Sequence, residues 1–255
     1  MKVIDTHIHL ESNGSKSLHS QIKEMSSQLK SLNIETGVLI HLLWQEHSIK
    51  DIATAVNEFS NLIPYVNINP NDASSTDVAK DAILSYGFKG IKLHPRFTPF
   101  KLETKECFEI CDLAGQLGVP VVICTFPDSL FLGGGLDALQ YFNLAKSCPD
   151  TKFVWAHMGG HKVLDFVMLG RSLKNVYMDF SYTLLYYQGS SVVTDLCFAF
   201  KNMKFERVFY GSDYPDRSLE VTLKESIRLL ENQGLTEPQI QKLFYQNAKD
   251  FLENQ

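Results

Sequence analysis

No apolar run in this chain approaches the length needed to cross a bilayer as a helix. Positive charge is not in excess: the formal net charge is −5, with a pI near 5.9. That balance excludes the basic patch or stripe by which nucleic acid is bound. Neither a nucleic acid nor a membrane is therefore an expected partner. The five cysteines are an odd set with no C-x-x-C spacing, which argues against a disulfide framework. Cys107 and Cys111, four apart in a helical stretch, read as small buried hydrophobes. A reducing cytoplasm is the expected compartment. The opening segment does not read as a secretory leader, because Asp5, His7 and His9 interrupt it where such a leader is apolar. No low-complexity linker divides the 255 residues, and no G-x-G-x-x-G follows the first strand-like run. The three glycines of FLGGGLD, 131–137, lack the Lys-Ser or Lys-Thr companion of a phosphate cradle and read as a loop over a site.

What is present is alternation. Short β-branched and aromatic runs fall at 2–8, 36–42, 63–68, 88–94, 119–125, 152–157, 175–180 and 206–212, each bounded by polar or turn residues. Between them lie helical patterns near 18–32, 48–60, 75–86, 103–117, 135–147, 161–169, 190–203 and 216–233. LTEPQIQKLFYQNAKDFLEN adds a closing C-terminal helix, with Thr236 as N-cap and Pro238 in its first turn. Eight strand–helix units in this length predict an α/β fold, a (β/α)8 TIM barrel forming one domain over 1–255. An open doubly wound sheet is the structural alternative. The closing helix either covers the barrel or joins a homo-oligomer.

A barrel of this kind carries its chemistry at the C-terminal ends of the strands. VIDTHIHL, 3–10, places His7 and His9 on one face of the first strand, with Asp5 expected beside them. Lys92 and His94 end the fourth strand, Cys124 the fifth, His157 the sixth and Asp213 the eighth. Each alone has a structural explanation, as a cap, a core hydrogen bond or a turn. Those explanations do not predict that all of them share one rim. Imidazole and carboxylate donors suit zinc and other divalent ions. A metal held by His7, His9, His157 and Asp213 would lower the pKa of a water, and Asp213 could move its proton.

DTHIHL, GIKLHP, AHMGG and GSDYP, in this order, resemble the amidohydrolase superfamily, and within it the amidohydrolase 2 branch. That branch holds metal-dependent hydrolases and non-oxidative decarboxylases related to aminocarboxymuconate-semialdehyde decarboxylase. The resemblance implies a divalent metal, zinc first, bound by His7, His9, His157 and Asp213, with Asp213 also catalytic. It departs at the fifth strand, where VVICTF puts Cys124 in the place of the usual histidine. Cys124 is then either a thiolate ligand or a small buried residue.

Lys92 has the strand position of the lysine that bridges two metals in some relatives, yet the K-L-H-P pattern accompanies mononuclear sites. Lys92 and His94 thus read as groups that orient substrate or support the ligands, and Arg96 as a partner for a substrate carboxylate or a solvated loop residue. His41 and Trp44 would line the mouth, Tyr182, Tyr186 and Tyr187 an aromatic wall, and His161 a gate. The leading expectation is hydrolysis of an amide, lactone or ester of a small acid. The alternatives are a decarboxylase of an unsaturated or aromatic acid, and a binding barrel with weakened catalysis. The TatD-like nucleases also open with D-T-H-x-H, but their acidic mid-barrel ligand is not evident in GFKGIKLHP, and the chain lacks a basic groove signal.

Overall fold

The computed structural model describes residues 1–11, 16–129 and 135–254. Eight parallel strands run in sequence order: β1 Val3–Ile8, β2 Ile34–Ile40, β3 Leu62–Ile68, β4 Ile91–Leu93, β5 Val121–Cys124, β6 Phe153–Ala156, β7 Val176–Asp179 and β8 Val208–Phe209. The chain returns from β8 to β1 through main-chain bonds. Thr6 N–H donates to Tyr210 O at 3.0 Å, Asp213 N–H to His7 O at 2.8 Å and His9 N–H to Tyr214 O at 2.8 Å. The architecture is the expected (β/α)8 barrel.

The helices between strands begin where short polar side chains can satisfy their free N–H groups. Ser17, Ser48, Thr104, Asp137 and Ser218 each accept a bond from the first turn of the helix they precede. Alternation along the strands then sorts side chains into two layers. On β5 and β6, Val121, Ile123, Phe153 and Trp155 pack outward into the helical layer. Val122, Val154 and Ala156 pack inward with Ile4, Val38, Ile40, Tyr65 and Phe209.

The N-terminal end of the barrel is sealed by the C-terminal segment. It is helical over Glu237–Gln241, widens to a π turn at Lys242–Gln246 and resumes at Asn247–Glu253. Thr236 N–H donates to Gln239 Oε1 at 2.9 Å, one half of a capping box. Tyr245, Ala248 and Phe251 insert among the inward residues Ile4 and Phe209. The closing helix therefore covers the barrel floor. Of the expected glycine loop, 131–137, residues 131–134 lie outside the described residues. Among the described residues, no helix is long and apolar enough to cross a membrane.

Candidate metal centre

The mouth is built from strand ends whose backbone departs from regular geometry. Between Asp5 and Ile8, β1 carries one residue more than β2: Asp5 pairs with Gly37 but Ile8 with Leu39. Such a bulge reverses the alternation and re-aims side chains. The expectation that Asp5 joins His7 and His9 is corrected here for that reason. Asp5 Oδ1 instead accepts main-chain N–H groups, from His7 at 3.2 Å and Ser212 at 2.9 Å. It thereby ties β1 to the segment that carries Asp213. Burial raises the Asp5 carboxyl to about 7. Gly211 lies against β1 so closely that a Cβ there would sit 2.7 Å from His7 Cβ. His157 and Asp213 both adopt positive φ, 70° and 57°, a costly conformation for residues other than glycine that clusters at functional sites.

Three histidines are held by the same nitrogen, each by a different acceptor. His7 Nδ1 lies 3.0 Å from Asp179 Oδ2, His9 Nδ1 2.9 Å from Ile40 O, and His157 Nδ1 3.0 Å from Ser181 O. A carbonyl or ionised carboxylate can only accept, so each Nδ1 carries the proton and each Nε2 keeps its lone pair. Those of His7 and His9 face Asp213. Its Oδ1 is 3.5 Å from His7 Nε2 and 3.3 Å from His9 Nε2. Donor atoms of His7, His157 and Asp213 all lie within 4.8 Å of one another. A tetrahedral ion with bonds of about 2.0–2.2 Å sets its donors about 3.3 Å apart. The donors of His7, His157 and Asp213 therefore fit a divalent ion in both chemistry and spacing, while His9, outside that mutually close group, lies beside Asp213.

Burial keeps His7 and His157 neutral. His157 is pushed down to about 3, chiefly by burial, and His7 is lowered by burial and by Lys92. The carboxylates behave in the opposite sense. Burial opposes their charge, but Asp213 stays well below the usual range through the closeness of His9, His157 and His7. Asp179 is likewise lowered against burial, by His7 and by hydrogen bonds from His7 and Ser181. Asp179 Oδ1 also accepts the N–H of His157 at 3.0 Å. Asp179 and Ser181 were not among the expected site residues. The signal was there: Asp179 ends β7 as the other polar groups end their strands.

The remaining expected residues surround this group. Lys92 is fully buried, with Nζ 3.4 Å from His7 Nε2. Cys124 is buried and free, on the inward parity of β5 two residues after Val122. It is not part of the mutually close donor group, and burial raises its thiol. His94 is buried, its Nδ1 has no hydrogen-bond partner among the described residues, and its ring meets Trp44 and Phe97 at 5.4 and 4.9 Å. The Arg96 guanidinium lies 4.4 Å from the Phe97 ring centre and 5.4 Å from that of Phe126, with Nη1 3.5 Å from Asp128 Oδ2. His41 is lowered to about 4, by burial and then by His9. Phe126, Tyr182 and Tyr186 form the aromatic wall, with Phe126 5.8 Å from the His157 ring. His161 shares a 3.0 Å hydrogen bond with Tyr187 Oη.

Comparison with solved structures finds the same barrel over the full chain. A TIM-barrel protein of uncharacterized function from Bordetella bronchiseptica has a TM-score of 0.78 at 16% identity, covering 100% of this chain and 99% of its own. A probable 2-pyrone-4,6-dicarboxylic acid hydrolase from Acinetobacter baumannii, with citric acid bound, has 0.71 at 16% identity, covering 99% and 100%. The 5-carboxyvanillate decarboxylase of Novosphingobium aromaticivorans, complexed with manganese and a substituted nitrobenzoic acid, has 0.67 at 16% identity, covering 99% and 96%. At such identities the likeness concerns the fold alone. No curated protein matches the sequence significantly. The sequence itself carries the assignment further. The family described as Amidohydrolase matches residues 48–253, a span that holds Lys92, His157 and Asp213 and leaves β1 to the structural likeness, and on that match the chain belongs to the amidohydrolase 2 family.

Proposed function

We propose that this protein is a metal-dependent hydrolase that cleaves an amide, lactone or ester bond of a small carboxylic acid. The observation that supports this reading is the orientation of His7, His9 and His157. Each Nδ1 is spent on an acceptor of the scaffold, and the Nε2 atoms of His7 and His9 are left toward Asp213. Anchored imidazoles of this kind are the usual support of a metal ligand. His7, His9, His157 and Asp213 would hold the ion. Zinc is our choice for a nitrogen and oxygen donor set, although the decarboxylase neighbour carries manganese. When bound, the ion supplies Lewis acidity, which makes a water more acidic and an electrophile more reactive.

The chain's own residues do the rest. Asp213, held ionised, accepts a proton from the attacking water and returns it to the leaving group. Arg96 meets the acid's carboxylate with its planar fork, exchanging its contact with Asp128. Lys92 and His94 border the reacting end. Trp44, Phe97 and Phe126 offer ring faces for a flat substrate. Cys124 is kept as an additional ligand to be tested by Cys124→Ser, which should weaken zinc binding if sulfur ligates. The buried free thiols accord with a reducing cytoplasm.

Decarboxylation of an aromatic or unsaturated acid is the second reading, favoured by the aromatic mouth and by the decarboxylase among the neighbours. A panel of lactones, N-acyl amino acids and aromatic acids, run with metal added and removed, separates the two. Metal-dependent release of a new acid without carbon dioxide supports hydrolysis, and carbon dioxide release supports the second reading. Turnover that survives complete metal removal contradicts both.

A further inference from the structure

We propose that Lys92 occupies the lone pair of His7 that a divalent ion would need, and so sets how tightly this centre binds metal. The inference rests on the metal reading above. Lys92 is the middle residue of β4, between Ile91 and Leu93, which pack into the outer layer. Alternation therefore turns Lys92 inward, and it is 0% exposed. Its strand position is held by a bond from Asn67 Nδ2 to its carbonyl at 3.0 Å.

The direction of the contact with His7 is fixed by chemistry. His7 donates through Nδ1 to Asp179, 3.0 Å away. The Nε2 of that tautomer can only accept, and a lysine amine carries N–H donors in either protonation state. Nζ, 3.4 Å from Nε2, thus donates to the one lone pair that His7 has for a metal. Among the described residues, no carboxylate oxygen lies within 4.0 Å of Nζ. A metal that takes His7 Nε2 therefore breaks the Lys92 bond and leaves a buried polar group to find another acceptor, which is unfavourable. In the metal-free chain the same hydrogen bond steadies His7, so its ring is held in place before any ion arrives.

Zinc affinity measured by competition with a chromogenic chelator tests this on the whole chain. Lys92→Met should bind zinc at least about ten-fold more tightly than wild type, and Lys92→Arg, which keeps an N–H donor, should not. Zinc binding by wild type should be indifferent to bicarbonate, and this arm needs no variant to fold. Equal or weaker binding by folded Lys92→Met overturns the inference, and so does a wild-type affinity that rises with bicarbonate, since each makes the lysine nitrogen or its carbon dioxide adduct a ligand. Zinc bound by Lys92→Met but not by wild type supports it. Zinc bound by none of the chains overturns the metal reading and this inference with it, whereas binding by wild type that Lys92→Met leaves unchanged overturns this inference alone.

Discussion

At the floor of the barrel, Tyr245, Ala248 and Phe251 close over Ile4 and Phe209, with Tyr177 against Phe251 at 4.6 Å between ring centres. Two residues further along the same strand, Tyr177 gives way to Asp179, and on β5 Val122 gives way to Cys124. The inward positions are the same; the layer differs. The floor fills its layer with rings and methyl groups, while the mouth fills its own with imidazoles, carboxylates and a lysine. The difference teaches where stability and chemistry are kept in this molecule. The floor buries apolar area, and the mouth buries charge that only partners in fixed positions make tolerable.

The comparison can be broken at either end. Asp213→Asn keeps volume and removes the proton acceptor. Turnover on a substrate found in the panel should fall by about 10²–10⁴-fold, with the thermal midpoint little changed. Wild-type turnover in that variant would remove Asp213 from the chemistry. Phe251→Ala should do the reverse, costing about 3–5 kcal/mol of stability while activity per folded molecule holds. Urea unfolding and active-site titration together read both quantities.

Acid should discriminate the two ends as well. His7, His41, His94 and His157 all have folded values below the ordinary 6.5, near 4 for His41 and near 3 for His157. In that window the unfolded chain binds more protons, so stability of the metal-free protein falls as pH drops from about 6.5 toward 4. Each such group contributes up to about 1.4 kcal/mol per pH unit. Asp5 works the other way, since its carboxyl is raised to about 7 and takes up a proton on folding. Four histidines against one aspartate give net loss on acidification. Phe251→Ala should shift the whole profile by a constant amount. A flat or rising stability between pH 6.5 and 4 would contradict the neutral state of the buried imidazoles. The smallest expected effect is that of Asp179→Asn, which weakens the anchor on His7 and should cost about 10–100-fold in zinc affinity.

The barrel was legible because alternation and helical period are local properties of the chain. All eight strand cores fell inside or within two residues of the expected runs. The ends were read too long, as at 206–212 for Val208–Phe209, because residues near the mouth such as Asp213 take positive φ rather than continue the strand. The convergence of His7, His157 and Asp213 followed from the rule that strand ends share a rim. Asp179 was passed over because its role depends on which histidine it meets across the closed barrel. That pairing spans 172 residues and leaves no local pattern. The turn of Asp5 away from His7 was equally hidden, since a bulge is defined by the partner strand.

The central claim is that His7, His9, His157 and Asp213 form one divalent metal centre. Equilibrium zinc titration of the metal-free protein tests it most directly, with bound ion counted per chain beside a folded His7→Ala, His157→Ala double variant. The account predicts that wild type binds a single ion at this centre and that the double variant loses it. Saturable zinc binding of equal strength in both chains, or none in the wild type, would contradict it.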